Sequence, residues 1–154
     1  AGDVMDHDIQ NYFRNTHRLE IGDRTAEQIK ISVGSAMRSR SKNILVKGRD
    51  LVSGIPKTID VRSDEIRQAL KDSVKRILEV VKDALESTPP ELSSDIIDRG
   101  ILVAGGGAQL RGLDQVIREK TNVPCNVVEE PHLAIVKGCG KIIEDLEKYK
   151  HVLI

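Results

Sequence analysis

The stretch Gly100-Ile101-Leu102-Val103-Ala104-Gly105-Gly106-Gly107-Ala108-Gln109-Leu110-Arg111-Gly112-Leu113 decides how the rest of the chain is read. Ile101, Leu102, Val103 and Ala104 form an uninterrupted apolar run between Gly100 and three glycines, the pattern of a short strand buried on both faces. After the glycines, Leu110, Leu113, Val116 and Ile117 recur at helical spacing, and the pattern stops at Asn122 and Pro124. Strand, turn and helix therefore follow one another. Glycine at such a junction allows dihedrals that a Cβ forbids and lets a ligand come close to the main chain, while the first amides of the helix are free donors. The same glycines also suit a tight α/β corner that binds nothing. The dinucleotide fingerprint G-x-G-x-x-G fails, because Leu110 stands where its third glycine belongs. Glu129, which closes the run Asn126-Val127-Val128, lies at about the distance of a ribose-binding acid, so a dinucleotide-binding domain stays open as an alternative.

Composition narrows the function classes. The chain has 154 residues, room for one ordinary domain or two small ones. Lys plus Arg and Asp plus Glu are each 24, so no net field recruits a nucleic acid. With no Trp, one Phe and two Tyr, the core must be aliphatic, and no aromatic platform exists for stacking bases. No apolar run approaches the 18 residues of a membrane-spanning helix, and no signal-peptide pattern opens the chain. Cys125 and Cys139 lack His or Cys neighbours at metal-ligand spacing and read as reduced core thiols. The opening Ala1-Gly2-Asp3-Val4 leads straight into an amphipathic segment, as in a piece of a longer protein.

Upstream of the glycines, residues 3–16 read as a helix with Asp3 as its cap and Val4, Met5, Ile9, Tyr12 and Phe13 on one side. His7 and His17 have no partner at ligand spacing and read as surface residues. Residues 18–24 read as a connection. Thr25 and Gln28 form a T-x-x-Q capping box that predicts a helix to about Met37. Glu27, Lys30 and Gly34 share one face of it, opposite Ile29, Val33 and Ala36. Glu27 and Lys30 read either as a solvated ion pair or, with the glycine gap, as a surface for a purine and its ribose hydroxyls.

Residues 38–43 read as a solvated basic loop. Residues 43–47 and 57–62 read as a hairpin, Ile59 and Val61 inward, with Gly48 and Gly54 bracketing a long apolar tip. Ser63 caps the longest helix, whose seam is Ile66, Leu70, Val74, Ile77, Leu78, Val81 and Leu85. A short helix covers residues 90–98. Cys125 to Val128 reads as a second buried strand, and residues 132–147 as a last helix in which Gly138 and Gly140 allow close approach of neighbours. In this order, residues 1–24 and 100–154 make one α/β unit, and 25–99 a helix, hairpin and helix inserted between them. The helix face carrying Glu27, Lys30 and Gly34 would then look across a cleft at the three glycines.

Thr25-Ala26-Glu27-Gln28-Ile29-Lys30-Ile31 with Gly34-Ser35-Ala36, then Gly48-Arg49-Asp50-Leu51-Val52-Ser53-Gly54-Ile55-Pro56-Lys57-Thr58, then Thr88-Pro89-Pro90-Glu91-Leu92, and finally Gly105-Gly106-Gly107-Ala108 with Leu110-Arg111-Gly112-Leu113, together resemble the MreB family of bacterial actins. The resemblance runs in unbroken order along nearly the whole chain. It implies an α/β, actin-like (ribonuclease H-like) half-domain: an incomplete subdomain IIA at residues 1–24 and 100–154, and an inserted α+β subdomain IIB at 25–99. The family's adenosine motif falls on Gly105, Gly106, Gly107, Ala108 and the adjoining Gln109. Its E-x-x-K helix falls on Glu27 and Lys30, with Gly34 leaving room for the base. Gln109 and Ala104 depart mildly from the family, where an apolar residue and a Thr are expected.

What the resemblance further implies is ATP or ADP as ligand, with Mg²⁺ held in the other half of the fold. It also implies filaments by self-association, rod-shape determination, a place in the cytoplasm at the inner face of the cell membrane, and RodZ, MreC and MreD as partners. Membrane contact would belong to the other half. No D-x-G-T or D-x-G-G-G-T phosphate loop occurs in the sequence, so no catalytic or metal-binding residue is assigned and the chain alone is expected to be inactive. A non-catalytic interaction module, using the hairpin tip and the last helix, is the alternative from another class.

Overall fold

The computed structural model describes residues 2–152. Helix α1 (Gly2–Tyr12) passes into a π-helical turn (Phe13–His17) that ends on Arg18 in the left-handed region, φ 52°. Met5, Ile9 and Phe13 are buried and Val4 is exposed, so one stripe faces inward. Asp3 sits inside the first turn of α1 and does not precede it. The expected connection contains a strand, β1 (Leu19–Glu20), and α2 (Asp23–Val33) begins two residues before the supposed capping box. Gly22 is its N-cap and makes no side-chain bond, so Thr25 lies within the helix. The helix stops at Val33, short of Met37, because Gly34 turns extended at φ −59°, ψ 137°.

β2 (Asn43–Asp50) and β3 (Pro56–Arg62) form the hairpin in antiparallel register, Val46 opposite Ile59 and Ile44 opposite Val61. Both strands run longer than their apolar pattern. β1 adds to the free edge of β2, Leu19 opposite Asp50 and Glu20 opposite Arg49, giving a sheet ordered β1-β2-β3. Gly48 is therefore a strand residue and not a bracket of the tip. A Cβ there would lie 2.5 Å from the Glu20 carbonyl oxygen and 2.8 Å from Leu19 Cγ. At the tip, Leu51, Val52 and Ile55 are exposed, as the sequence suggested. The Asp50 carboxylate accepts from the Val52 and Ser53 amides and from Lys57 Nζ.

The expected longest helix is two, α3 (Ser63–Ala69) and α4 (Lys71–Glu86), broken at Leu70, whose ψ of −5° tightens the turn and leaves the side chain fully buried. Arg62, not Ser63, is the N-cap position; its amide donates to Glu65 Oε1 while the Ser63 hydroxyl accepts from the Lys42 amide. Glu65 also holds His17 (Nε2 to Oε2, 2.7 Å) and accepts from the Tyr12 hydroxyl, so His17 is a half-buried partner and not a free surface residue. Burial pushes the Glu65 carboxyl up, but the Arg62 amide and His17 outweigh it and leave it below the usual range; burial and Glu65 together push the Tyr12 hydroxyl up.

After α5 (Pro90–Arg99) come β4 (Ile101–Val103), a 3₁₀ turn (Gly106–Gln109), α6 (Leu113–Thr121), β5 (Cys125–Val127) and α7 (Ala134–Glu144). β4 and β5 pair in parallel as a sheet of two. These strands are not buried on both faces: α6 covers one side, and Leu102 is 69% and Val127 37% exposed. Nor is α7 wrapped by neighbours, since Ile135, Val136 and Ile143 are exposed and a Cβ on Gly138 or Gly140 would meet nothing within 4 Å. Cys125 is a buried thiol as expected, raised by burial and by Asp114, but Cys139 is exposed; both are free. One core, aliphatic apart from Phe13, joins α1, α2, the hairpin, α3, α4 and α6, and its buried members include Ile9, Ile29, Val61, Leu70 and Ile117. Among the described residues, no helix is long and apolar enough to cross a membrane.

Candidate functional site

Two walls meet over a cavity of about 740 Å³, within the range of small-molecule sites. One wall is α2, presenting Glu27, Lys30, Ile31 and Gly34; the other is the glycine turn with Gly105, Gly106, Gly107, Ala108 and Gln109. Every residue assigned to the adenosine site from the sequence thus lines the same space. Gly2, Asp3 and Met5 of α1 and Ile77 of α4 line it too, which no sequence pattern announces. Only the packing of α1 and α4 against α2 and α6 puts them there.

The walls are joined at one end. Ser35 and Arg111 form an isolated parallel bridge, the Ala36 amide donates to the Arg111 carbonyl at 2.8 Å, and the Arg111 guanidinium reaches back to the Ser32 carbonyl. Gly34 has a packing reason of its own here, because a Cβ would meet the Lys30 carbonyl oxygen at 2.3 Å and Leu110 Cδ1 at 3.2 Å. Gly112, at φ 73°, packs on Met37, whose Cγ would lie 2.9 Å from an added Cβ.

In the glycine wall, α6 does not start at the glycines. Gly105 takes φ 87° and its amide donates to the Pro131 carbonyl at 2.7 Å; the chain then makes the 3₁₀ turn, and Ala108 donates back to Gly105. The first amides of such a turn have no acceptor within it and face outward. A Cβ on Gly105 or Gly106 would meet nothing within 4 Å. Gln109 contacts His132 across 3.4 Å. In the other wall, Lys30 does not pair with Glu27. Its Nζ donates to Asp6 Oδ2 at 2.8 Å and to the Gly2 carbonyl at 3.2 Å, and Glu27 is exposed without an ion-pair partner among the described residues. Glu129 is exposed and is not among the cavity residues, which removes the acid on which the dinucleotide reading rested. A second hollow of about 590 Å³ beside α1, lined by Gln10, Arg14, Glu20 and Asp23 among others, contains none of the predicted residues.

Chemically, the larger cavity combines two carboxylates that accept from hydroxyls, Glu27 and Asp3, with a lysine N–H, backbone donors and aliphatic flanks from Met5, Ile31, Ile77 and Leu113. That set suits a flat, weakly polar ring carrying vicinal hydroxyls. Among the described residues, no group of three His, Cys, Asp or Glu is placed to hold a metal ion.

The model of the family described as MreB/Mbl protein matches residues 1–151. The chain belongs to the MreB/Mbl family. It is 47% identical over 149 residues to the cell shape-determining protein Mbl of Bacillus subtilis (strain 168), covering 96% of this chain and 45% of that one. To the cell shape-determining protein MreB of Escherichia coli (strain K12) it is 41% identical over 150 residues, with 97% and 43% covered. The chain therefore spans about half the length of the curated MreB/Mbl relatives it matches. Its fold is actin-like: it superposes on MreB5 of Spiroplasma citri, solved with ADP and with AMPPNP, at a TM-score of 0.91, 34% identity, and 98% and 46% coverage.

Proposed function

We propose that this chain supplies the adenosine-facing part of a nucleotide-dependent, filament-forming protein that determines cell shape. The observation that carries the reading is convergence: Glu27 and Lys30 lie 75 to 80 residues from the three glycines in sequence, yet both sets line one cavity. The MreB5 relatives solved with ADP and AMPPNP support it. In this reading Glu27 accepts the ribose hydroxyls, the glycine turn lies against the base and ribose, and Gly34 and the aliphatic flanks bound the ring. Gln109 borders the same space.

Phosphoryl transfer rests on positioning and on charge around the phosphates. The sequence has no D-x-G-T loop, so in this reading Mg²⁺ and the hydrolytic groups are assigned to the phosphate-facing half of the fold and the chain by itself to no turnover. Self-association into filaments, a place at the inner face of the cell membrane, and RodZ, MreC and MreD as partners belong to the same proposal. So does the division into a unit of 1–24 with 100–154 and an insert of 25–99, across which β1 contributes an edge to the insert's sheet.

Gly106→Val tests the site, because the position has open space and a backbone conformation that accepts a side chain. Adenosine and ADP titrated into the labelled chain are expected to move the amides of Glu27 and Gly106 saturably, and the variant to stay folded and lose the response. Absence of saturable shifts in the unaltered chain, or a preference for NADH, defeats the proposal.

A further inference from the structure

We propose that Asp6 is a positioning residue for Lys30, turning that lysine from a phosphate-seeking charge into a single aimed donor for the nucleoside. The inference rests on the nucleotide reading above. An ammonium on a helix surface is ordinarily a mobile point charge on a four-carbon stem, with three donors free to follow any anion. Lys30 is not in that state. Its Nζ lies 2.8 Å from Asp6 Oδ2 and 3.2 Å from the Gly2 carbonyl, and the Lys30 and Asp6 side chains are only 16% and 15% exposed.

Two of the three N–H bonds are thus spent on α1, and one remains for the cavity that Lys30 lines. The adjacent carboxylate offsets most of the positive charge at short range, so the remaining N–H favours an uncharged acceptor, a ring nitrogen or sugar oxygen, over a phosphate. Glu27 lies one helical turn away on the same face and supplies acceptors. Together they present one donor and one carboxylate at fixed spacing, which sets which end of a nucleotide enters between α1 and α2. No sequence-local rule points to Asp6: it is 24 residues from Lys30 and is not itself a cavity residue.

The test measures adenosine and inorganic pyrophosphate binding to the unaltered chain, Asp6→Asn, Asp6→Glu, Lys30→Met and the double variant Asp6→Asn/Lys30→Met. Asp6→Asn is expected to weaken adenosine about tenfold, the size of one hydrogen bond to a charged group, and to bind pyrophosphate more tightly than the unaltered chain. Asp6→Glu is expected to recover much of the adenosine affinity, and the double variant to be no worse than Lys30→Met. A readout independent of folding defects is the Lys30 ammonium signal in ¹⁵N spectra of the unaltered chain, expected to exchange slowly and to persist when adenosine is added. Adenosine affinity unchanged in Asp6→Asn, additive losses in the double variant, or a Lys30 ammonium in fast exchange overturns the inference while the nucleotide reading stands. No saturable adenosine binding by the unaltered chain overturns both.

Discussion

Replacing Gly48 by Ala is expected to detach β1 from the sheet. The added carbon would lie 2.5 Å from the Glu20 carbonyl oxygen and 2.8 Å from Leu19 Cγ, against an optimal separation of about 3.5 Å for such contacts. Neither neighbour is the loose end of a flexible side chain. Relief requires β1 to retreat by roughly 1 Å, which strains the pairings of Leu19 with Asp50 and Glu20 with Arg49 and begins to uncover Leu19, a residue with no exposure at all. Overpacking of this kind costs about 1–3 kcal/mol, or a fall in Tm of roughly 2–12 °C at about 2–4 °C per kcal/mol for a chain of this size. Calorimetry measures the first effect. Amide hydrogen exchange measures the second, expected to accelerate at Leu51, whose amide donates to the Arg18 carbonyl at 2.8 Å. A Tm within a degree of the unaltered chain, with protection at Leu51 retained, would falsify the claim that this glycine exists to admit β1.

Two further predictions follow different physics. Gly138→Ala and Gly140→Ala in α7 are each expected to stabilise the chain by about 0.5–1 kcal/mol through backbone entropy alone, since no neighbour occupies the space a methyl would take; urea titration showing destabilisation by either would reveal a close contact. At the hairpin tip, hydrogen bonds from Lys57 and from the Ser53 and Val52 amides hold the Asp50 carboxyl well below the usual carboxylate range. The folded value lies below the unfolded one, so its contribution is complete above the ordinary value of about 4 and drains away as pH falls toward the folded value. Exchange at the Val52 and Ser53 amides, corrected for intrinsic rates, is expected to accelerate below that pH, and Asp50→Asn to show the faster exchange already at neutral pH; an unchanged profile in the variant would show that the tip is held by something else.

The parts of the fold that could be read from sequence are those whose pattern is local. Ile59 and Val61 alternate because one face of β3 is covered, and Ile66, Leu70 and Val74 recur because one face of α3 and α4 is. The candidate site was legible for the same reason, as one helix face and one glycine run. What escaped depends on tertiary contact. Two residues of β1 carry no period, and they pair only because Gly48 leaves room. The i,i+3 rule offered Glu27 to Lys30, but burial between α1 and α2 gave Lys30 to Asp6, where a charge-assisted bond is worth more than on an open surface. The runs at Ile101 and Cys125 correctly announced strands and wrongly announced burial on both faces, because apolar composition does not say which residues cover a face, and none of the described ones covers Leu102.

The bridge between Ser35 and Arg111 bears on how the cavity can move. It fastens the end of α2 to the loop leaving the glycine turn through several bonds at once, so sliding or bodily separation of the two walls would break all of them together. A rotation about residue 35 would leave those bonds in place. A pivot magnifies: a small change in gap near Lys30 becomes a larger sweep at any part of the chain carried rigidly with the wall and farther from the fulcrum.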